Sequence, residues 1–257
     1  MMDFYFSGIA GRQEFEMLTA AGVKNLLVDH ADARHIPFPR RINMLDSGAY
    51  RAFKSGTDLS VGEFLQSAKT LAPRSDLIVA PDFIGNPAKT FRRWQRIKAE
   101  IAPKRLIPVW EWASPRKYLE AYLSEAEVVG IGGIARTMRA GGKTKEEIKL
   151  RDTVTAELLA LCREFPNRFH IFGLNYLKAI ETLAPWAKSA DSSNWLRGGR
   201  YGYIIFKHAK NNHLTQAPAK FIPEYKNLDR AARCIASARN IETFLSGESI
   251  PQKLKAA

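Results

Sequence analysis

The sequence predicts an α/β fold, which we interpret as a single-domain (β/α)8 barrel of the TIM type. About eight short apolar runs are rich in branched and aromatic side chains, as buried parallel strands are, and amphipathic helix patterns lie between most of them. No linker divides the 257 residues, so residues 1–250 are assigned to one barrel domain and 251–257 to a polar tail. A doubly wound open sheet is the competing architecture, because periodicity does not separate the two.

Most of the predicted strands are bounded by polar, glycine or proline residues, and Ser60, Pro87 and Pro115 mark helix starts. Glu63 follows Ser60 at the spacing of a capping box. The strands are predicted at 4–6, 26–29, 42–46, 77–82, 106–112, 128–132, 169–173, 189–191 and 201–206. The helices are predicted at 60–71, 87–101, 115–124, 145–165, 176–183 and 229–245, with a mobile loop at 136–149.

The chain is strongly basic, with a formal net charge of +13 and a sequence pI near 9.8. Lysine and arginine neutralise phosphates and release counterions, so this excess favours a phosphate-rich partner over a merely basic surface. The hydrophobic content of 46% and charged content of 25% are ordinary for a globular protein.

The two cysteines, Cys162 and Cys234, are far apart in the sequence. They fit a reducing compartment and exclude a cysteine-rich zinc module. The N-terminal residues carry an acid where a signal peptide needs basic residues, and no apolar stretch approaches the length needed to cross a bilayer. The sequence therefore predicts a cytoplasmic protein without a membrane partner.

Four acidic residues lie at the ends of predicted strands: Asp46, Asp82, Glu111 and Asp191. The carboxyl ends of barrel strands converge on the active site, so these four side chains are predicted to surround one cavity. A single strand-end acid often caps the next helix or turn. Four at the same end repel one another, and that repulsion must be offset by function or by hydrogen-bond donors of a ligand.

Paired carboxylates suit chemistry at the anomeric carbon of a sugar, where one attacks and the other moves a proton at the leaving group. Further acids can accept hydrogen bonds from the amino and imino groups of a guanine-like edge. Four aromatic residues near the acids in sequence could stack on a flat base, although at least two are expected to serve packing instead. They are Tyr50, Phe83, Trp110 and Trp112.

These segments resemble the tRNA-guanine transglycosylase superfamily, including its relatives that insert 7-deazaguanines into DNA. Asp46-Ser47-Gly48-Ala49-Tyr50 resembles the family's Asp-Ser-Gly-Gly-Phe motif, whose Asp is the proposed general acid/base. Asp82 follows a strand where the family has a base-recognising Asp, and Glu111 occupies the position of a Gln that also reads the base.

The resemblance continues towards the C-terminus and covers roughly residues 40–205. Residues 130–135, which include Gly132 and Gly133, are similar to the family's base-contacting turn. Residues 170–175 resemble the strand ending in Gly-x-Gly, with Asn175 in place of the final Gly. Residues 191–200 parallel the segment that begins with the nucleophile, which implies this role for Asp191.

The resemblance implies a pentosyltransferase that exchanges guanine in a polynucleotide for a free 7-deazaguanine-type base. Asp191 and Asp46 are the implied catalytic residues; Ser47, Gly48, Asp82, Glu111, Gly132, Gly133 and Asn175 are the implied substrate-binding residues. Phosphate contacts are predicted for Arg136, Arg139, Lys143, Lys145, Arg197 and Arg200. No catalytic or metal role is predicted for a histidine, and His170 is expected to face barrel or helix packing.

The chain also departs from the family. The tRNA enzymes carry a structural zinc site of three cysteines and a histidine beyond the nucleophile, whereas here only Cys234, His208 and His213 follow Asp191. We therefore expect no zinc subdomain, no metal and no cofactor, and we favour DNA over tRNA as the substrate. Glu111 in place of Gln also changes the hydrogen bonds offered to the base, which makes a different deazaguanine plausible.

Three alternatives remain open at the level of sequence. The chain could be a tRNA-guanine transglycosylase, or a catalytically inactive nucleic-acid-binding barrel. A small-molecule barrel enzyme such as a glycosidase or sugar-phosphate enzyme, using residues 130–133 as a phosphate turn, also explains the carboxylates but leaves the charge excess unused. The sequence predicts no oligomeric state.

Overall fold

The computed structural model of the chain describes residues 2–135, 137–138, 144–208 and 210–247. Nine parallel strand segments form one sheet in the order β5-β4-β3-β2-β1-β9-β8-β7-β6. They are β1 (Asp3–Phe6), β2 (Asn25–Asp29), β3 (Ile42–Asp46), β4 (Ser75–Val79), β5 (Leu106–Ile107), β6 (Val109–Glu111), β7 (Val129–Gly132), β8 (Phe169–Ile171) and β9 (Ser189–Ser192).

The sheet closes on itself at Pro108, which separates β5 from β6. The carbonyl of Ile107 accepts a hydrogen bond from Ala80 N at 2.8 Å, and the carbonyl of Pro108 accepts one from Gly130 N at 2.8 Å. One continuous stretch thus bonds to β4 on one side and to β7 on the other. The result is an eight-stranded (β/α)8 barrel, which confirms the predicted fold class and excludes the open sheet.

The helices surround this barrel. They are α1 (Arg12–Ala21), α2 (Ala49–Ser55), α3 (Val61–Leu71), α4 (Pro87–Ile97), α5 (Arg116–Glu125), α6 (Lys145–Glu164), α7 (Leu177–Leu183), α8 (Asn194–Arg200) and α9 (Arg230–Ser246). After β2 the chain makes only the short 3-10 helix Ala33–His35. An antiparallel hairpin, β10 (Tyr203–Lys207) and β11 (Leu214–Pro218), follows α8, and α9 packs against α1, α8 and β10.

The predicted elements agree with the structure except at a few boundaries. Strand β4 ends at Val79 rather than at Asp82, because Pro81 has no N–H to continue the ladder. Helix α4 ends at Ile97 rather than at residue 101. The predicted polar tail at 251–257 lies outside the described residues.

Capping explains where two of the helices begin. The Ser60 side chain accepts a hydrogen bond from Glu63 N, as its spacing predicts. Thr144 and Glu147 form a complete capping box, so α6 begins at Lys145 and residues 145–149 of the predicted loop are helical.

Two hydrophobic cores hold the barrel. The barrel interior is filled by a small cluster that includes Tyr5, Met44 and Val109. A larger core between strands and helices contains the fully buried Trp195 and Tyr122. In the described part of the chain, no helix has the length and hydropathy needed to cross a membrane.

The contact between α8 and α9 depends on Gly199. A Cβ atom at this position would overlap Cys234 Sγ and lie 2.9 Å from the carbonyl of Arg230. We expect Gly199→Ala to lower the free energy of unfolding by about 1–3 kcal/mol, the usual cost of overpacking a core. Urea denaturation measures this difference.

Gly62→Ala is the matched control, because a Cβ at Gly62 in α3 would meet only Ser60 Oγ, at 4.0 Å. Alanine is the better helix former, so this variant should unfold at the same urea concentration as the wild type or higher. Equal denaturation midpoints for the two variants would show that the α8–α9 contact is looser than the structure indicates.

Candidate active site

The four predicted acids are brought to the mouth of the barrel at the carboxyl ends of its strands. Asp46 ends β3, Glu111 ends β6 and Asp191 lies near the end of β9. Asp82 lies three residues beyond the end of β4. The charges of Asp191 and Asp82 act on Asp46, and that of Glu111 acts on Asp82, so the four carboxyls share one site.

The carboxyl of Asp46 has a pKa close to neutral pH. Burial raises its pKa from 3.8 to about 7, and the negative charges of Asp29, Asp191 and Asp82 act in the same direction. A hydrogen bond from the backbone of Ser47 opposes this shift without cancelling it. A group with this pKa can both give and take a proton near pH 7.

Asp29 is a fifth acid at the mouth, one strand away from Asp46, and the two residues are paired in the β2–β3 register. Arg51 Nη2 lies 3.0 Å from Asp29 Oδ2 and also pairs with Asp32. Gly48 makes room for this carboxyl, because a Cβ there would lie 3.1 Å from Asp29 Oδ1, and its φ of +75° also favours glycine. Sequence reasoning missed Asp29, although it ends the predicted strand at 26–29.

Asp82 and Glu111 follow neighbouring strands of the barrel, β4 and the β5–β6 stretch. Burial raises the pKa of Asp82 to about 6, and the charge of Glu111 adds to the shift. The buried Arg93 guanidinium donates to the Asp82 carbonyl at 3.0 Å, which holds the backbone there. Glu111 Oε2 accepts a hydrogen bond from Gly85 N at 2.9 Å. A small cleft contains both acids; it is lined by Asp82, Pro87, Thr90, Val109, Trp110, Glu111, Tyr118 and Tyr122.

The turn after β7 touches Glu111. Gly132 pairs with Glu111 in the β6–β7 register, and the Gly132 carbonyl accepts a hydrogen bond from Trp112 N at 3.0 Å. Gly133 has a φ of +81°, and a Cβ there would lie 2.9 Å from Glu111 Cγ. Glycine is therefore required at 133 both for the backbone conformation and for the approach of Glu111.

Asp191 is buried, with 5% of its surface exposed. Its Oδ1 accepts a hydrogen bond from Gly173 N at 2.8 Å, and its carbonyl accepts one from Leu174 N at 2.8 Å. The loop after β8 thus holds both the side chain and the backbone of Asp191. Asn175 belongs to the same loop, and its Oδ1 accepts a hydrogen bond from Ser192 Oγ at 2.6 Å.

His170 is inside the barrel, with none of its surface exposed. Its Nδ1 lies 2.8 Å from Ser189 Oγ, and its Nε2 lies 3.5 Å from Asp191 Oδ1. The packing role predicted for His170 is therefore incomplete, because the ring also faces the carboxyl of Asp191. The register of β8 against β9 brings the two residues together, and nothing in the local sequence signals it.

The aromatic residues near the acids differ in exposure. Trp110 is buried in the larger core between strands and helices, as expected of a residue that serves packing. Phe83 and Trp112 are partly buried, and Lys89 Nζ lies 3.8 Å from the centroid of the Phe83 ring. Tyr50 is 45% exposed.

The predicted phosphate-binding residues are only partly described. Arg197 and Arg200 are exposed on α8, which directly follows the strand of Asp191, and Lys145 is exposed at the start of α6. Arg136, Arg139 and Lys143 lie outside the described residues. Tyr201 and Phe221 are 69% and 73% exposed, beyond α8 and β11 respectively.

In the described part of the chain, no three His, Cys, Asp or Glu side chains are grouped so that they could hold a metal ion.

Fold and site together define a (β/α)8 barrel whose mouth is lined by five carboxyls. No family model matches the chain, and no curated protein matches it. Among solved structures, the chain is similar to QR15, an aldolase, with 12% sequence identity and a TM-score of 0.44. That similarity covers 76% of this chain and 90% of the aldolase chain, and it has no bearing on the activity of this protein.

Proposed function

We propose that the protein is a guanine transglycosylase of nucleic acid, a pentosyltransferase that replaces guanine with a 7-deazaguanine-type base. The observation that carries this proposal is the pairing at the mouth of two carboxyls in different environments. Asp46 has a pKa near 7. Asp191 accepts a hydrogen bond from Gly173 N, and its charge acts on Asp46. This arrangement suits a proton shuttle beside a nucleophile.

The first step releases guanine. The Asp191 carboxylate attacks C1′ of the sugar, the C1′–N9 bond breaks, and its electron pair leaves with the base. Asp46, in its protonated form, gives its proton to the departing guanine, which leaves a sugar ester on Asp191. With a pKa of about 7, Asp46 can carry this proton near neutral pH, unlike an ordinary carboxyl.

The second step inserts the new base. Asp46, now ionised, accepts the proton from N9 of the incoming heterocycle, and N9 attacks C1′. The ester bond breaks with its electron pair returning to Asp191, so the enzyme recovers its starting state. The same two residues serve both steps because the reaction is an exchange between similar leaving groups.

Base recognition is assigned to Asp82 and Glu111, with the turn at Gly132 and Gly133. Carboxyl oxygens can accept from the amino and imino groups of a guanine-like edge. The raised pKa of Asp46, about 7, lowers the negative charge at the mouth near neutral pH. This partial neutralisation lets an anionic polymer approach a site built from acids.

The polynucleotide is proposed to bind the basic surface and to flip the target guanine out of its stack into the mouth. The net charge of +13 supports phosphate binding. Arg197 and Arg200 on α8, and Lys145 on α6, are exposed on elements that begin near the mouth, and the exposed Tyr201 can stack on a base. We favour DNA over tRNA because the chain lacks the cysteines of the zinc subdomain. We favour a cytoplasmic location because its two cysteines fit a reducing compartment.

Incorporation of radiolabelled guanine into DNA and tRNA, offered in parallel, tests this proposal. We expect label in DNA and little or none in tRNA, with binding that weakens steeply as salt rises. Label in tRNA alone would keep the chemistry and reverse the preference for DNA. No label in either polymer, together with no binding at low salt, would contradict the proposal and favour a small-molecule enzyme.

A further inference from the structure

His170 is a buried polar side chain with one ring nitrogen left over. Its Nδ1 contacts Ser189 Oγ at 2.8 Å, whereas Nε2 is buried without a hydrogen-bond partner in the described structure. Nε2 faces Asp191 Oδ1 at 3.5 Å, somewhat beyond normal hydrogen-bond length. A buried, unpaired polar atom costs free energy, so its position beside the carboxyl calls for a reason.

The neighbours of the ring favour one tautomer. A proton on Nε2 points a donor at the Asp191 carboxylate, whereas a proton on Nδ1 would leave a lone pair facing its oxygens. The Ser189 hydroxyl can donate to Nδ1 and so holds the ring in the Nε2–H form. Tyr5 and Phe172 meet the ring in edge contacts, with centroids at 5.7 and 4.4 Å, and limit its rotation.

The two oxygens of Asp191 are treated differently. Oδ1 accepts from Gly173 N and faces His170 Nε2. Oδ2 has no hydrogen-bond partner among the described residues. Unlike His170 Nε2, it keeps some contact with solvent. Catalytic contacts are often long in a free enzyme and shorten when substrate binds.

We propose that His170 is a positioning residue for Asp191: together with Gly173 N it anchors Oδ1, so that Oδ2 is the oxygen that attacks C1′. The inference rests on the proposed function, because it assigns the orientation of the same nucleophile. Ser189, His170 and Asp191 then act in sequence. The Ser189 hydroxyl fixes the tautomer of His170, and the His170 ring fixes the orientation of the Asp191 carboxyl.

A matched pair of variants tests this role. In His170→Gln the side-chain amide can place an N–H where Nε2 lies, whereas the shorter amide of His170→Asn reaches only the position of Nδ1. Both variants remove the ring and its edge contacts. We expect His170→Asn to slow single-turnover formation of the sugar ester about tenfold to a hundredfold, with KM for the polynucleotide unchanged, because a nucleophile misplaced by about 1 Å costs up to about 10²-fold. His170→Gln should recover most of this loss.

If the wild type forms the ester and the two variants form it at equal rates, the role of His170 is overturned and the proposed function stays intact. A wild type that forms no ester would instead contradict the proposed function. In that case the inference falls with it. Where both variants fail to fold, nitrogen NMR of the wild-type histidines decides. A neutral His170 protonated on Nε2, losing this preference in Ser189→Ala, supports the inference, whereas protonation on Nδ1 overturns it.

Discussion

Asp191→Asn is expected to abolish base exchange, with a loss of about 10⁴-fold or more, because an amide oxygen cannot form the sugar ester. The fold should survive, since the asparagine oxygen can still accept from Gly173 N. Binding to a guanine-containing polynucleotide should be nearly unchanged, because phosphate contacts supply most of that affinity. Exchange of labelled guanine, thermal unfolding and a binding isotherm measure the three properties on one preparation.

Asp76→Asn is the matched control for this substitution. Asp76 lies at the start of β4, at the opposite end of the barrel from the mouth, where it pairs with Arg41. This half-exposed ion pair should contribute at most about 1 kcal/mol, and exchange should be unaffected. Normal turnover by Asp191→Asn would remove Asp191 from the role of nucleophile, and an equal loss in both variants would indicate damage to the barrel.

Asp46→Asn is expected to lower base exchange by about 10²–10⁴-fold, the usual contribution of general acid–base catalysis. The variant lacks the proton that assists departure of guanine and the base that accepts one from the incoming heterocycle. The loss should be greatest with guanine and smaller with a substrate whose leaving group needs no proton. Single-turnover rates with the two kinds of substrate separate the proton transfer from the attack.

The same substitution should change how stability depends on pH. The pKa of Asp46 is about 7 in the folded protein against an ordinary value of 3.8, so between pH 4 and 7 the folded state binds more protons than the unfolded state. The wild type therefore loses stability as pH rises through this window, and the cost is fully present above it. The asparagine side chain does not ionise and carries no such cost, so Asp46→Asn should be as stable as the wild type at pH 3 and more stable at pH 8, by up to roughly 4 kcal/mol.

Urea denaturation of the two proteins between pH 3 and 8 measures this effect. Asp82, whose pKa is raised to about 6, adds a slope of the same sign. The charges of Asp46 and Asp82 act on each other, so the difference between the two proteins reports Asp46 together with its coupling to Asp82. Parallel profiles would mean that Asp46 ionises as an ordinary carboxyl, and its assignment as proton shuttle would lose its physical basis. A gain in stability combined with a loss of activity is the pattern expected of a strained catalytic group.

The sequence predicts the mouth of the barrel well because strand ends are local features. Asp46 and Glu111 each terminate an apolar run, Asp191 nearly does, and the barrel topology then brings such ends together. Asp29 ends a predicted strand in the same way and could have been included on that ground alone.

Other features depend on contacts between distant segments. His170 lies on a strand of three residues, and only its register against Ser189 and Asp191 shows what the ring faces. The predicted strand at 106–112 is nearly correct and is interrupted only at Pro108. The sequence does not show that the carbonyls of Ile107 and Pro108 bond to opposite neighbours, which closes the barrel. Pairing between strands, rather than composition, determines both of these features.

In the proposed reaction Asp191 forms a covalent bond to the sugar. Wild-type protein incubated with a guanine-containing DNA strand and no incoming base, then denatured and digested, should yield a peptide around Asp191 that carries the strand. The adduct should be absent from Asp191→Asn and present in the Asp76→Asn control. Mass spectrometry that finds the sugar on another residue, or guanine release with no adduct at any time, would contradict the account.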